Sequence, residues 1–233
     1  MLEIIAQPRS GSTYLQTMMW AYINETSNPL AFDQRQISPQ KYLSDSEMML
    51  FKEDLLNSSL IPVIKEHPRD YKSDWDSTQK IYLVRRNHFE TVLSHAIATT
   101  LGKWSWEKRS QRSYPVYLDT EDIFKPMSEH DVDDGQYDTT TLEIKRAIFN
   151  SSYDIVMNEY KEIMKKTDDP IYYEDLTFDP QTDYKMLTGI ESPHKYESSL
   201  QKTPDVKVTN LHELEKLFKI FEKSPLQSEC TVV

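Results

Sequence analysis

The sequence predicts an α/β domain, with a central and mostly parallel sheet flanked by helices. Three observations carry that expectation. Short apolar runs rich in β-branched residues alternate with longer stretches of helical spacing. The 233 residues are 38% hydrophobic and 28% charged, a mix that can bury a core and that excludes whole-chain disorder, collagen and coiled coil. No internal repeat and no low-complexity linker divides the chain, so residues 1–224 read as a single domain and 225–233 as a flexible tail.

Each element has its own justification. Leu2–Ala6 is a short apolar run, read as a buried strand. After a turn at Gln7–Gly11, Thr13–Ile23 places Leu15, Met18, Met19, Tyr22 and Ile23 at helical spacing. Leu60–Lys65 and Lys80–Val84 are further strands, the first of them weakened by Pro62. His88–Leu101 reads as a helix stopped by Gly102. Thr140–Lys166 is the longest helical stretch, and the strand Pro170–Tyr173 follows it. Asn210-Leu-His-Glu213 precedes Leu214, Leu217, Phe218 and Phe221 as the cap of an amphipathic helix. Between these lie Thr26–Ser46, Lys103–Asp138 and Glu191–Thr209, connections longer than compact domains keep without a function.

Several functional classes are excluded early. No apolar run approaches the roughly 18 residues of a membrane span. The start, Met1-Leu-Glu-Ile-Ile-Ala-Gln-Pro-Arg9, has an acid where a signal peptide is basic, so a cytoplasmic setting is expected. Cys230 is the sole cysteine, which rules out a disulfide within the chain and a cysteine zinc cage. The terminal Cys230-Thr-Val-Val233 lacks the polybasic run of a prenylation signal. His88 and His95 have no third ligand for zinc, and Asp131-Val-Asp-Asp-Gly135 places its glycine one position early for a calcium loop.

Net charge is −11, which argues against nucleic-acid binding. The charge is uneven. Residues 1–112 hold 14 Lys/Arg against 13 Asp/Glu, whereas residues 113–233 hold 13 against 25. Seven of the eight arginines fall in the first part, and arginine suits bidentate recognition of phosphate-like oxyanions. Asp119–Asp138 carries eight acids and one lysine, a solvated loop or an acceptor-facing lid. Trp104 and Trp106 are core residues or stacking platforms.

The first turn is the chemical focus. A strand, then Gln7-Pro8-Arg9-Ser10-Gly11-Ser12-Thr13-Tyr14, then a helix is the arrangement that makes an anion site from backbone N–H groups and the helix dipole. Arg9 adds a cation, and Ser10, Ser12 and Thr13 add hydroxyls. A nucleotide triphosphatase loop would need a second glycine and a lysine before Ser/Thr, and both are missing.

Pro8-Arg9-Ser10-Gly11-Ser12-Thr13-Tyr14-Leu15 resembles the 5′-phosphosulfate loop of sulfotransferases that use 3′-phosphoadenosine-5′-phosphosulfate (PAPS). Tyr82-Leu83-Val84-Arg85-Arg86, followed by Ser94, resembles that family's 3′-phosphate motif, although His88 stands where the family often has proline. Tyr172-Tyr173-Glu174-Asp175-Leu176 is similar to its late Tyr-Glu-Asp-Leu segment, where Asp175 reads as a helix N-cap.

The resemblance implies a P-loop-like sulfotransferase fold and sulfuryl transfer from PAPS to a hydroxyl or amine. It leaves adenosine 3′,5′-bisphosphate (PAP) as product. It implies that Arg9, Ser10, Gly11, Ser12, Thr13, Tyr14, Arg86, Ser94 and a late Lys202 hold the nucleotide. Lys65-Glu66-His67 resembles the Lys-x-His segment of the cytosolic branch, implying His67 as base and Lys65 at the leaving side. Asp33, Glu25 and Glu66 remain alternative bases. A sulfuryl group carries less charge than a phosphoryl group, so no metal is expected. The acceptor could be a glycan, peptide tyrosine, lipid or small alcohol or phenol. A P-loop nucleotide or nucleoside kinase and an inactive nucleotide-binding relative are the rival readings.

Overall fold

The structure, a computed structural model, describes residues 1–25, 36, 39, 43–70, 79–101, 141–191 and 206–223. Asp33, Lys202, Trp104, Trp106, Gly102, the acidic stretch 119–138 and the tail 225–233 lie outside the described residues.

Strand β1 (Leu2–Ala6) is buried at every position, as an apolar run in a central strand should be. Its one charged residue, Glu3, pairs in register with Lys80 of β3 (Gln79–Val84), and the Lys80 ammonium lies 3.7 Å from the carboxylate. Helix α1 (Ser12–Ile23) starts one residue earlier than its apolar spacing predicts, with Gly11 as N-cap. Helix α2 (Asp45–Asn57) is absent from the sequence expectations. Its apolar residues form no clean stripe and only Phe51 is buried, yet Ser44 and Glu47 form a reciprocal capping box that fixes its start.

Strand β2 is Val63–Glu66, not Leu60–Lys65. The carbonyl of Pro62 accepts from the Leu2 amide, but proline has no N–H to return, so regular pairing begins one residue later. Helix α3 is His88–Leu101. The helix expected over Thr140–Lys166 divides: β4 (Thr141–Leu142) pairs with β6 (Lys207–Val208), and helix α4 runs from Arg146 to Met164. Strand β5 (Ile171–Tyr172) leads into a 3₁₀ turn at Tyr173–Asp175 and helix α5 (Pro180–Thr188). The cap of α5 is Asp179, which accepts from the Thr182 amide; Asp175 does not fill that role. Helix α6 (Leu211–Lys223) follows Asn210, whose side chain clasps the backbone of Ile144 and so joins α6 to the start of α4.

The main sheet has the order β2-β1-β3-β5, with every pairing parallel. Leu2, Ile4, Ala6, Ile81 and Leu83 pack against α1 and, through Tyr184, against α5. On the other face Ile5 and Val84 meet Ile163 of α4, and Ile64 meets Phe51 of α2. A separate apolar cluster joins α3, α4 and α6 around Val92, Phe149, Val156 and Phe218. Among the described residues no helix is long and apolar enough to cross a membrane.

This topology positions the site. From β1 the chain goes outward to β2, and from β3 it goes outward to β5. The carboxyl ends of β1 and β3 therefore flank a switch point, where open α/β sheets bind ligands.

Candidate anion-binding site

Gln7 shapes the turn from beneath. It is fully buried, its amide donates to the Leu83 carbonyl, and its side chain bridges the Arg85 N–H and the Val156 carbonyl. One residue thus fixes the end of β1 to β3 and α4. Ser10 is also fully buried, its hydroxyl donating to the Gln7 carbonyl at 2.6 Å. Ser10 therefore serves the shape of the loop, and Tyr14 similarly donates to Asp183 of α5 at 2.6 Å. Burial and that bond push the Tyr14 hydroxyl far above its ordinary range, so it stays protonated.

Two residues take left-handed backbone here, Arg9 with φ 62° and Gly11 with φ 78°. At Gly11 an added Cβ would lie 2.9 Å from the Tyr173 ring, so both conformation and space demand glycine. Strain at a non-glycine residue such as Arg9 persists only when the surroundings hold it, and it concentrates at functional sites. The first turn of α1 contains no acid, which leaves the positive end of the helix dipole unopposed.

Side chains from distant elements converge on this turn. The Arg9 Nε donates to the Ser94 hydroxyl of α3 at 3.0 Å. The Lys65 ammonium donates to the Thr13 hydroxyl at 3.0 Å. His67, just past β2, places Nδ1 2.8 Å from the Ala6 carbonyl. A carbonyl can only accept, so Nδ1 carries the proton and Nε2 of the neutral ring keeps its lone pair. Burial, and next the charge of Arg85, hold the Arg9 guanidinium below its usual range. Arg85 stacks over the Tyr173 ring at 4.4 Å, and Tyr173 in turn covers Gly11.

Arg86 lies differently. Its guanidinium forms a bidentate pair with Asp175 at 2.6 and 2.8 Å and sits 3.9 Å over the Tyr172 ring. That hydrogen bond holds the Asp175 carboxyl below its ordinary range. The neighbouring Glu174 accepts from the amides of Arg86 and Asn87 at 3.0 and 3.1 Å. Arg86 also borders a cleft of about 430 Å³ with His88, Phe89, Phe218 and Lys219.

The structure thus brings Arg9, Gly11, Ser12, Thr13, Lys65, His67 and Ser94 to one turn, while Arg86 points to Asp175. Of the alternative bases, Glu25 follows the far end of α1, roughly 18 Å from the loop for a 12-residue helix. Glu66 is fully buried in β2, on the opposite face from Lys65. Sequence reasoning missed Glu159, a buried acid of α4 that lies 3.5 Å from His67 and 3.3 Å from Arg69. Its signal was an acid on the apolar face carrying Phe149, Tyr153, Val156 and Ile163. Among the described residues no group of three His, Cys, Asp or Glu could hold a metal ion. Set against protein-family models, curated proteins and solved structures, the chain matches none.

Proposed function

We propose that the chain is a sulfotransferase that moves a sulfuryl group from PAPS to a hydroxyl or amine acceptor. The observation that carries this reading is the hydrogen bond between Arg9 and Ser94. The first belongs to the segment that resembles a 5′-phosphosulfate loop, the second to the segment that resembles a 3′-phosphate motif. They are 85 residues apart in sequence, and one nucleotide carrying phosphate at both its 3′ and 5′ positions needs those two segments side by side.

In this reading the acceptor's O–H or N–H attacks sulfur in line. The new bond to sulfur forms as the bond between sulfur and the 5′-phosphate oxygen breaks, and the departing electron pair stays on that oxygen. His67 Nε2 takes the acceptor's proton. Arg9, Lys65 and the amides at the start of α1 face the charge that grows on the leaving phosphate. Fixed donors in a partly buried turn do this without reorganising at the moment of transfer.

Calorimetric titration with PAP, 5′-AMP and ATP with magnesium tests the proposal. The wild type should prefer PAP, and Arg86→Ala should lose at least about tenfold in PAP affinity, the order expected for a charge-assisted bidentate contact. Tight, magnesium-dependent ATP binding with no PAP binding would instead favour the kinase reading.

A further inference from the structure

We propose that Glu159 acts through His67, as the buried carboxylate that faces the positive charge the ring gains when it takes a proton. The inference rests on the sulfotransferase reading for the reaction step, but its geometry stands alone. Glu159 projects from the C-terminal third of α4 and is 2% exposed. Neither of its carboxylate oxygens accepts a hydrogen bond from a described residue. Burying a carboxylate so poorly satisfied is costly unless nearby positive charge compensates it. The groups that approach it are His67 Nδ1 at 3.5 Å and Arg69 Nε at 3.3 Å, both just beyond β2.

The arrangement suits a base that must become cationic. The Nδ1–H of His67 is held by the Ala6 carbonyl, with the Glu159 carboxylate just beyond. A proton arriving at Nε2 therefore creates an imidazolium next to a buried anion. Arg69 opposes that gain from the 3₁₀ turn at Pro68–Asp70, and His95 of α3 lies within electrostatic reach of His67, Arg69 and Arg9. Glu159 is the one acid within ion-pair reach of the ring among the described residues. In hydrolytic triads the carboxylate takes the Nδ1–H bond itself and stabilises the imidazolium; here the Ala6 carbonyl takes the bond, and Glu159 supplies the charge alone.

Glu159→Gln keeps the shape and removes the charge. The assay is hydrolysis of PAPS with water as acceptor: water forms the new bond to sulfur, its proton passes to His67, and sulfate and PAP leave. The turnover rate should fall by about 10- to 100-fold, part of the roughly 10²–10⁴ that a positioned base supplies, with PAP affinity unchanged. The acid limb of the pH–rate profile should move to lower pH, because the ring loses the anion that favours its protonation. Arg69→Gln should move the limb the opposite way, and it serves as the second variant if Glu159→Gln does not fold.

A purely structural Glu159 would leave the rate and the limb of the folded variant as in the wild type, and that result overturns the proposal. Nuclear magnetic resonance of 15N-histidine, with the His67 signal assigned through His67→Gln, gives a reading that needs no catalysis. The His67 titration should shift to lower pH in Glu159→Gln; an unmoved titration rejects the pairing even if PAP never binds. Failure of PAP to bind the wild type would reject the sulfotransferase reading alone.

Discussion

Arg86 presents the planar fork that a phosphate needs, and in this structure Asp175 fills it. A carboxylate and a phosphate offer the same pair of oxygens to a guanidinium, so a 3′-phosphate arriving at Arg86 would have to displace Asp175. The pair is exposed on both sides, which makes exchange inexpensive. Asp175→Asn should therefore tighten PAP binding a few-fold by calorimetry, with no change in fold. Unchanged or weaker binding would mean that Arg86 does not read the nucleotide. Lys65 and Thr13 illustrate the same point from the other side, since a lysine that sequence alone could leave in solvent is 6% exposed and bonded to the loop.

Packing between elements sets the next level. Helices α3 and α4 meet where His95 Nδ1 lies 3.0 Å from the Ser152 hydroxyl, with His95 only 3% exposed. Burial, followed by the charges of Arg69, Arg9 and His67, pushes His95 down to about 4. Its unfolded value is near 6.5, so between those limits the unfolded chain binds a proton that the folded chain refuses. Stability contributed by the neutral ring is present above about pH 6.5 and is lost as pH falls toward about 4, for a total of about 3 kcal/mol. Urea midpoints measured across that window should fall less steeply for His95→Asn than for the wild type. Equal slopes would show that the ring is not held neutral.

For the molecule as a whole, ligand binding and stability are linked. PAP at about 100 times its dissociation constant should add about 2.7 kcal/mol, or about 5–10 °C in Tm for a chain of this size. ATP with magnesium should produce no comparable shift, and differential scanning calorimetry separates the two. An equal rise with both would contradict the proposed nucleotide preference. The distribution of charge makes this meaningful, because a chain of net charge −11 has no general attraction for anions. In the proposed reading, affinity for PAP would have to come from local donors at the switch point between β1 and β3, where backbone, dipole and guanidinium lie together.

The strand–turn–helix unit from Leu2 to Ile23 was legible because its signals are local: apolar runs, one obligatory glycine and helical spacing within a single stretch. The α/β class followed from the same kind of pattern. Elements whose identity depends on distant partners were not legible. Strands β4 and β6, 2 residues each, exist only because residues 141 and 207 meet, and nothing local distinguishes Thr141–Leu142 from the start of a helix. Helix α2 buries too little to show a stripe, and only its capping box marked it. At the site, the sequence by itself determined which residue types stand in the turn, while the tertiary structure decided their partners. It joined Arg9 to Ser94, Arg86 to Asp175 and His67 to Glu159, because contacts across 85, 89 and 92 positions are set by how the helices pack on the sheet.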